Sequence, residues 1–521
     1  MELDSSQNTA KITIENSVVS AGAGSGKTRV LAERFAYLVT EKGYKVDQIL
    51  TLTFTKKATV EMKSRIFTTL KEAADNGNDL AKEAVLDFNK AQIMTLDSYF
   101  SYIARQGSRF YGVSPSFGTE NDESWKKIHD MAIPFLLENR DNIAVKEAGL
   151  VLNNPEDVAD QLFVNPVLEH SHPSSKIDFR RDLENQAEII SSVWEETWCD
   201  IDKLVSVMKK EFIDLNTPPF KTKSAENLDD AFTAYNSAKI VPLSKEDILK
   251  CNISDAVKSI ESKLLKFCNM KKPTGKNISE ILGENFTAVP GKAATLFHLL
   301  NFASGIETTK ASIQLLEQFQ EKVLLSKRTE GVLTHGDVSQ MAYDILKDHP
   351  EIRAMEKAKY REIMIDEFQD NNSLQRDILF MLAEKKERNT KGIPDPLKGE
   401  IYTDKLFFVG DEKQSIYKFR GADVSVFNSL KNIIKDSDGK NLYMGTNYRS
   451  AAELIAGFNT IFGGSSYPPV EDEKATENPS VFLKANGKDH VPEFEAAYST
   501  VYANPDKVKT ADYTKKRIHV A

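Results

Sequence analysis

The apolar positions of the first hundred residues follow two different spacings. Short apolar runs at 17–20, 48–54 and 91–96 are typical of buried strands. Between them, apolar side chains recur at helical spacing over residues 28–41 and 58–70. Because strands that alternate with helices form βαβ units, this part of the chain is predicted to build a parallel sheet.

The spacing becomes almost wholly helical from about residue 116 to 330, with few strand signals. Strand patterns then return, which indicates that the chain re-enters the first sheet. A polar stretch with prolines and glycines at 385–404 is expected to form a surface loop between two of these strands. The returning apolar runs lie at 362–367, 405–411 and 441–446.

The simplest organisation is therefore one α/β domain that is interrupted by an insertion. We expect residues 1–115 and 330–440 to form the α/β domain, and residues 116–329 to form a mainly α-helical insertion. The polar, proline-containing residues 441–521 are expected to begin a second domain that these residues do not complete.

Composition narrows the class of protein. The 521 residues carry 77 acids and 68 bases, a formal net charge of −9, which argues against a basic protein that coats nucleic acid but not against a local basic groove. The cysteines Cys199, Cys251 and Cys268 form no CxxC pair, so a reducing, cytoplasmic location is predicted. No apolar run approaches 18 residues, and no membrane partner is expected.

The sequence AGAGSGKT at 21–28 predicts a phosphate-binding loop between a strand and a helix. Ala21 stands where the generic loop G-x-x-x-x-G-K-[ST] has its first glycine, so the strict pattern fails at one position. The lysine would reach the β- and γ-phosphates, the threonine hydroxyl would bind Mg²⁺, and the helix dipole would favour the anion. The alternative is an incidental glycine-rich turn.

An adjacent pair of carboxylates ends a later apolar run, IMIDE. Asp366 is suited to bind Mg²⁺, and Glu367 is suited to activate the attacking water, because neighbouring side chains at a strand end point in different directions. A solvated strand end is the alternative, although the lysine loop favours the catalytic interpretation.

Five segments occur in the order found in superfamily 1A DNA helicases, and the chain resembles the UvrD/Rep/RecB group of that superfamily. The long gap before DEFQD and the form of GDEKQSIYKFRGAD are most similar to the AddA/RecB helicase–nuclease subunits. The resemblance covers roughly residues 1–110 and 330–460. The five segments are AGAGSGKTRV, TLTFTKKATVEM, IMIDEFQDNNSLQ, VGDEKQSIYKFRGADV and LYMGTNYRS.

The resemblance implies a RecA-like ATPase domain with a helical insertion and the start of a second RecA-like domain. It implies ATP-dependent movement on single-stranded DNA, 3′→5′, in repair or recombination. ATP and Mg²⁺ are the implied cofactors. Single-stranded and duplex DNA are the implied partners, together with a possible second helicase–nuclease subunit.

The resemblance also implies roles for individual residues. Gln414 would sense the γ-phosphate, Arg449 would neutralise its charge, and Tyr448 would stack on the adenine that Gln7 reads. The implied catalytic set is Lys27, Asp366, Glu367, Gln414 and Arg449, with Thr28 and Asp366 on the metal. The implied nucleotide-binding set is Gln7, Ala21, Gly22, Ala23, Gly24, Ser25, Gly26, Lys27, Thr28, Arg29 and Tyr448.

Contacts with DNA are implied for aromatic and polar residues of three segments, because single strands are held by stacking and by phosphate contacts. The alternative is that the aromatic rings belong to the core and face the sheet. Asp97 stands where the family usually has a histidine, which weakens the neighbouring contact. The implied DNA-binding residues are Thr53, Phe54, Thr95, Tyr417, Phe419 and Arg420.

The fifth and sixth helicase segments are not recognisable in the sequence. We therefore expect the 521 residues to be the N-terminal part of a longer protein. The alternative function is a fragment that binds nucleotide and DNA without turnover. A P-loop kinase or a transport ATPase is disfavoured by GDEKQSIY and TNYRS, and no LSGGQ-like stretch occurs.

Three weaker patterns have structural explanations. His170 and His172 lack a third metal ligand nearby in the sequence, so a solvated loop is expected. Trp194 and Trp198, four residues apart, are expected to pack in a helical core. A basic run in the insertion indicates either DNA contact or a charged helix end: Lys263, Lys266, Lys271, Lys272 and Lys276.

Overall fold

The computed structural model divides into two compact units. Unit 1 comprises residues 1–107 together with the chain from 342 onward, and unit 2 comprises residues 108–341. The residues that the structure describes are 3–152, 154–215, 243–251, 276–418, 421–450 and 484–485.

Unit 1 is built around a six-stranded sheet in the order β3-β2-β6-β7-β1-β8, and every neighbouring pair is parallel. The short pairs β4–β5 and β9–β10 lie outside this sheet. The strands are β1 (Ser17–Ala21), β2 (Ile49–Thr53), β3 (Gln92–Thr95), β4 (Gly118–Thr119), β5 (Val332–Leu333), β6 (Glu362–Ile365), β7 (Leu406–Gly410), β8 (Lys440–Met444), β9 (Thr446–Asn447) and β10 (Lys484–Ala485).

Helices connect the strands of unit 1 and form most of unit 2. A π-helical turn, Asp160–Val164, separates two short helices of unit 2. The helices are α1 (Ser5–Ile12), α2 (Lys27–Thr40), α3 (Lys56–Asp75), α4 (Asp79–Leu86), α5 (Leu96–Gly107), α6 (Asn121–Glu138), α7 (Ile143–Val151), α8 (Pro155–Ala159), α9 (Asn165–His170), α10 (Phe179–Leu215), α11 (Lys245–Leu249), α12 (Lys276–Ser304), α13 (Ile306–Glu330), α14 (His335–Asp348), α15 (Pro350–Lys359), α16 (Ser373–Ala383) and α17 (Val424–Asp436).

The central strands of unit 1 are buried on both faces. Every position of β2, β6 and β7 is buried, as expected for a parallel sheet that helices cover on each side. Helix α2 contributes the apolar face that its spacing predicts, with Leu31, Phe35 and Leu38 at most 2% exposed. The predicted α/β class and the parallel sheet are therefore confirmed.

Unit 2 has cores of its own. Trp194 and Trp198 are buried on α10, with ring centroids 6.1 Å apart in an edge-to-face arrangement, so the predicted helical core role is confirmed. The basic run beginning at Lys263 lies outside the described residues, except that the backbone of Lys276 starts α12.

The prediction of a solvated loop is wrong for His172. Its Nδ1 lies 2.9 Å from Oδ1 of Asp337, which is fully buried and also accepts a hydrogen bond from Lys327 Nζ at 2.8 Å. A buried carboxylate requires hydrogen-bonding or charged partners, and His172 is held beside Asp337 as one of them. In the described ranges, no group of three or more His, Cys, Asp or Glu side chains could hold a metal ion.

The predicted domain boundaries stay a prediction. Residue 441, the predicted start of a second domain, lies within β8, which pairs with β1 in the sheet of unit 1. Most of the chain beyond residue 450 lies outside the described residues. Across the described helices, none is long and apolar enough to span a membrane.

Candidate functional site

A cavity of about 340 Å³ lies at the carboxyl edge of the sheet in unit 1. In parallel α/β sheets this edge is where ligands bind, because loops and helix N-termini converge there. The residues that line it are Gly24, Ser25, Gly26, Lys27, Thr28, Arg29, Glu61, Arg65, Glu367, Gln414, Tyr448 and Arg449.

The glycine-rich loop joins β1 to α2 and contributes one wall of the cavity. Gly24 and Gly26 have φ values of +70° and +84°, a left-handed conformation that favours glycine. Gly26 caps α2, so Lys27 and Thr28 form the first turn of the helix, next to its positive dipole end. Ala21 is buried at the end of β1. The residues that line the cavity do not include Ala21, Gly22 or Ala23.

Lys27 and Glu367 form the central ion pair of the site, with Nζ 2.7 Å from Oε2. Gln369 donates through Nε2 to the same Glu367 oxygen at 2.9 Å. Glu367 has a φ of +55°, a strained conformation for a non-glycine residue and one that often marks a functional position. Two donors thus orient this carboxylate.

The segment after β6 concentrates negative charge. Burial and then the neighbouring Glu367 carboxylate raise the pKa of Asp366 to about 7, against the opposing effect of Lys27. Burial and the Glu367 charge also raise the pKa of Asp370 to about 6. A cation placed here would lower the electrostatic cost of ionising these acids.

A chain of hydrogen bonds joins this segment to the end of β7. The carbonyl oxygen of the Gln369 side chain accepts from the backbone N–H of Asp411 at 2.8 Å. Asp411 in turn accepts from Nε2 of Gln414 at 2.8 Å, and Gln414 lines the cavity. The predicted water-activating Glu367 and the predicted γ-phosphate sensor are therefore linked through Gln369 and Asp411.

Gln7 lies where the cavity meets helix α1. Its Nε2 donates to the backbone carbonyl of Ser25 at 2.9 Å, and its Oε1 accepts from the backbone N–H of Asp4. Asp4 also accepts from the hydroxyl of Tyr448. A carboxamide has two donors and two acceptor positions, so one of each stays available to Gln7 after these bonds.

Tyr448 and Arg449 line the cavity from the segment that follows β8. The backbone N–H of Tyr448 donates to the carbonyl of Gly24 at 2.9 Å, which ties this segment to the glycine-rich loop. Between the two residues and the loop lies the buried side chain of Asn447. The structure thus brings together Gln7, Lys27, Thr28, Glu367, Gln414, Tyr448 and Arg449, and their roles in binding and catalysis stay predictions.

The predicted DNA-contacting aromatics Phe54 and Tyr417 lie together, with ring centroids 5.1 Å apart and planes inclined at 36°. Both are partly buried rather than core residues. Phe54 follows β2 and Tyr417 follows β7, so the pair lies at the carboxyl edge of the sheet. Phe419 and Arg420 lie outside the described residues.

The hydroxyls of Thr53 and Thr95 serve local structure. Thr53 is fully buried, and its Oγ1 lies 2.6 Å from Oγ1 of Thr59. Thr95 accepts from the backbone N–H of Ser98 and so caps the start of α5. Their phosphate contacts stay predictions, and Thr53 would have to become exposed to make one.

Sequence reasoning missed several residues of the site. Glu61 and Arg65 line the cavity from α3, four residues apart and 3.2 Å from each other. Glu61 lies within the TLTFTKKATVEM segment but has no predicted role, and Arg65 lies just beyond that segment. Asp4 and Gln369 act through neighbours, and their signals are the capping-box spacing before Gln7 and the DEFQD segment itself. Asn447 lies within the TNYRS segment that the sequence singles out.

The model of the UvrD/REP helicase N-terminal domain matches residues 3–435 of the chain. The chain is also similar to three curated proteins, each of which is named as the A subunit of an ATP-dependent helicase/nuclease. It is 25% identical to that of Clostridium beijerinckii over 91% of this chain and 40% of the relative.

The protein of Lactobacillus acidophilus is 27% identical over 85% of this chain and 38% of the relative. The protein of Geobacillus thermodenitrificans is 25% identical over 95% of this chain and 42% of the relative. The chain therefore spans about two fifths of the length of these relatives.

Proposed function

The chain belongs to the UvrD/REP helicase family, and we propose from this premise that it binds ATP in the cavity of unit 1 and hydrolyses it to move along single-stranded DNA. The observation that carries the proposal is the Lys27–Glu367 pair beside the glycine-rich loop. The proposed phosphate-binding cation and the proposed general base for water lie 2.7 Å apart in this pair.

The ion pair also supports an order of events. An incoming γ-phosphate competes with Glu367 for the Lys27 ammonium. Once Lys27 turns to the phosphate, Glu367 is free to accept a proton from water, while Gln369 keeps the carboxylate in place. Arg449 and Gln414 line the same cavity and would neutralise charge on the phosphoryl oxygens as the terminal P–O bond breaks.

The residues present suit Mg²⁺. The hydroxyl of Thr28 and the carboxylate of Asp366 are hard oxygen donors, and Mg²⁺ sites in such enzymes use one or two carboxylates together with substrate phosphates. Burial and then the Glu367 carboxylate raise the pKa of Asp366, and a divalent cation would favour its ionised form. When bound, Mg²⁺ would neutralise charge on the β- and γ-phosphates.

The preference for adenine is assigned to Gln7 and Tyr448. Gln7 retains one donor and one acceptor, the pair that adenine N7 and its N6 amino group require. The hydroxyl bond from Tyr448 to Asp4 holds the ring beside the same helix end.

DNA is proposed to bind across the carboxyl edge of the sheet, where the Phe54–Tyr417 pair can stack on bases. The 3′→5′ polarity rests on family membership alone, and duplexes with a 3′ or a 5′ single-stranded tail would distinguish it. The relatives are named as subunits of a helicase/nuclease, so a role in repair or recombination beside a second subunit is part of the proposal.

A second candidate is nucleotide binding without turnover. The observation that favours it is the Lys27–Glu367 ion pair, because a carboxylate bound to an ammonium group is a weaker base. This candidate and the motor differ in one measurable property, the rate of ATP hydrolysis.

The experiment is steady-state ATPase of the 521-residue chain with and without single-stranded DNA, beside binding of a fluorescent ATP analogue. DNA-stimulated turnover that Glu367→Gln abolishes while analogue binding persists would support the motor. Binding without turnover would support the second candidate, and absence of binding in the folded wild-type chain would refute both.

A further inference from the structure

Asn447 is a buried side chain that bonds in two directions at once. It is 3% exposed, and its Nδ2 donates to the backbone carbonyl of Ala23 at 2.7 Å. Its Oδ1 accepts from the backbone N–H groups of Arg449 at 2.8 Å and Ser450 at 2.9 Å. One side chain therefore joins the glycine-rich loop to the turn that carries the predicted arginine.

The contact is close enough to decide which residue can stand at position 24. A Cβ on Gly24 would lie 2.6 Å from Oδ1 of Asn447, a distance that real Cβ atoms do not reach. The loop and the Asn447 side chain therefore fit together only while residue 24 has no side chain. The left-handed φ of Gly24 adds a second, independent reason for glycine.

The bond to Ala23 also sets the direction of a loop amide. In a planar trans peptide the C=O and the following N–H point to opposite sides. Because Asn447 holds the Ala23 carbonyl, the N–H of Gly24 faces away from Asn447, and Gly24 lines the cavity. Backbone N–H groups aimed into such a loop are what bind phosphate oxygens.

The hydrogen bonds accepted by Oδ1 of Asn447 fix the backbone of the opposite cavity wall, the turn that carries Tyr448 and Arg449. A side-chain oxygen that accepts from the N–H groups two and three residues further along the chain forms a tight Asx-type turn. This turn fixes the backbone on which Tyr448 and Arg449 project into the cavity. Two backbone hydrogen bonds join the same two segments. The N–H of Gly22 donates to the carbonyl of Met444, and the N–H of Tyr448 donates to the carbonyl of Gly24.

We propose that Asn447 is a positioning residue that holds the phosphate loop and the Tyr448–Arg449 turn in one arrangement, so that both walls of the nucleotide cavity form together. This inference rests on the proposed nucleotide binding at this cavity. It assigns to Asn447 an action through its neighbours, without contact with the nucleotide.

Two substitutions separate the two directions of bonding. Asn447→Asp keeps the acceptor for Arg449 and Ser450 but loses the donor to Ala23 and places a negative charge against that carbonyl. Asn447→Ala loses both sets of bonds. The matched control is Asn441→Ala on β8, an exposed asparagine whose amide donates to the Lys431 carbonyl at 3.0 Å.

The measurement is the affinity of the chain for fluorescent ADP and for a non-hydrolysable fluorescent ATP analogue. Asn447→Asp should weaken both by roughly tenfold, about 1.4 kcal/mol, and leave their ratio unchanged, because only the phosphate loop is released. Asn447→Ala should weaken both and also lower the preference for the triphosphate, because Arg449 loses its orientation. Asn441→Ala should bind as the wild type does.

The inference is overturned if both Asn447 variants bind each nucleotide within twofold of the wild type. It is also overturned if the alanine variant loses affinity without any change in the triphosphate preference, since a general loss of packing would do that. If Asn447→Ala does not fold, the near-isosteric Asn447→Asp decides alone. A wild-type chain that binds neither nucleotide would instead refute the proposed function.

Discussion

Strand β6 carries a buried acid at each end, and the two acids differ in what surrounds them. Glu362 begins the strand at the amino edge of the sheet, and Asp366 follows its last residue at the carboxyl edge. Burial raises the pKa of both carboxyls. Arg34 compensates Glu362, whereas the largest effect of a charge on the pKa of Asp366 comes from another carboxylate, that of Glu367, and exceeds the opposing effect of Lys27.

Two buried carboxylates at the amino edge have cationic partners. The Nε and Nη2 atoms of Arg34 lie 2.9 and 2.6 Å from the same Glu362 oxygen, and the guanidinium lies 4.1 Å over the ring of Phe407. Glu384 at this edge likewise pairs with Lys357 at 2.7 Å. These charges have the partners that burial requires, and they serve the fold.

The carboxyl edge retains an electrostatic cost. Asp366, Glu367 and Asp370 lie within five residues, and the pKa values of the first and third are raised. Buried groups with perturbed pKa values in a cleft are typical of functional sites, because a ligand can supply the missing charge. The difference between the edges therefore separates charges that have a partner within the fold from charges that we propose to act on a ligand.

Removing Arg34 should produce the largest effect on stability. Arg34→Met leaves Glu362 buried without its cation, which should lower the free energy of unfolding by about 3–5 kcal/mol. Urea unfolding followed by circular dichroism measures it. A second substitution, Glu362→Leu, should recover part of the loss, and a stable single variant would contradict the comparison.

Lys27→Ala tests the carboxyl edge through nucleotide affinity, which should change more than the free energy of unfolding. Nucleotide affinity should fall about 10- to 100-fold, because charge-assisted bonds to phosphate contribute about 1.5–3 kcal/mol. The unfolding free energy should change by less than about 1 kcal/mol, since the Glu367 side chain is 33% exposed. Fluorescent-analogue titration and urea unfolding of the same preparation give both values, and the prediction fails if stability falls more than affinity.

Asp366→Asn should relieve repulsion. The folded-state pKa of Asp366 is raised to about 7, so the folded chain keeps this carboxyl protonated to a higher pH than the unfolded chain does. The free energy of unfolding is therefore highest below about pH 4 and falls as the pH rises through about 7. Without divalent cations, the variant should therefore gain on the wild type between pH 4 and 7, on the order of 1 kcal/mol. Urea unfolding at several pH values measures the gap. A variant that is less stable than the wild type at pH 7 would show that Asp366 is compensated.

The smallest effect is expected at an exposed pair on the amino edge. Lys440 lies 2.7 Å from Glu15, and its hydrogen bond lowers the pKa of that carboxyl to about 2. Solvent screens both groups, so Lys440→Ala should cost no more than about 0.5 kcal/mol of unfolding free energy. A loss as large as that of Arg34→Met would mean that burial is not the property that distinguishes these pairs.

Much of the site could be predicted because its chemistry is local in the chain. A glycine-rich loop between a strand and a helix can be identified from spacing, and so can paired acids after an apolar run, as for Lys27 and Glu367. Asn447 could not be assigned, since its role depends on the Ala23 carbonyl, which is 424 residues away. For the same reason, the pairing of His172 with Asp337 reversed the prediction of a solvated loop.

The sequence alone determined the parallel α/β class and the order of the strand and helix segments, and it singled out the candidate phosphate-binding and acidic residues. These properties follow from apolar periodicity and short motifs, which act between near neighbours. Only the tertiary structure decided which buried charges are compensated: Glu362 meets Arg34, which is 328 residues away along the chain, whereas the Asp366 carboxyl is buried beside its own neighbour Glu367. Electrostatic energy depends on distance in space and on burial, and neither can be read from separation along the chain.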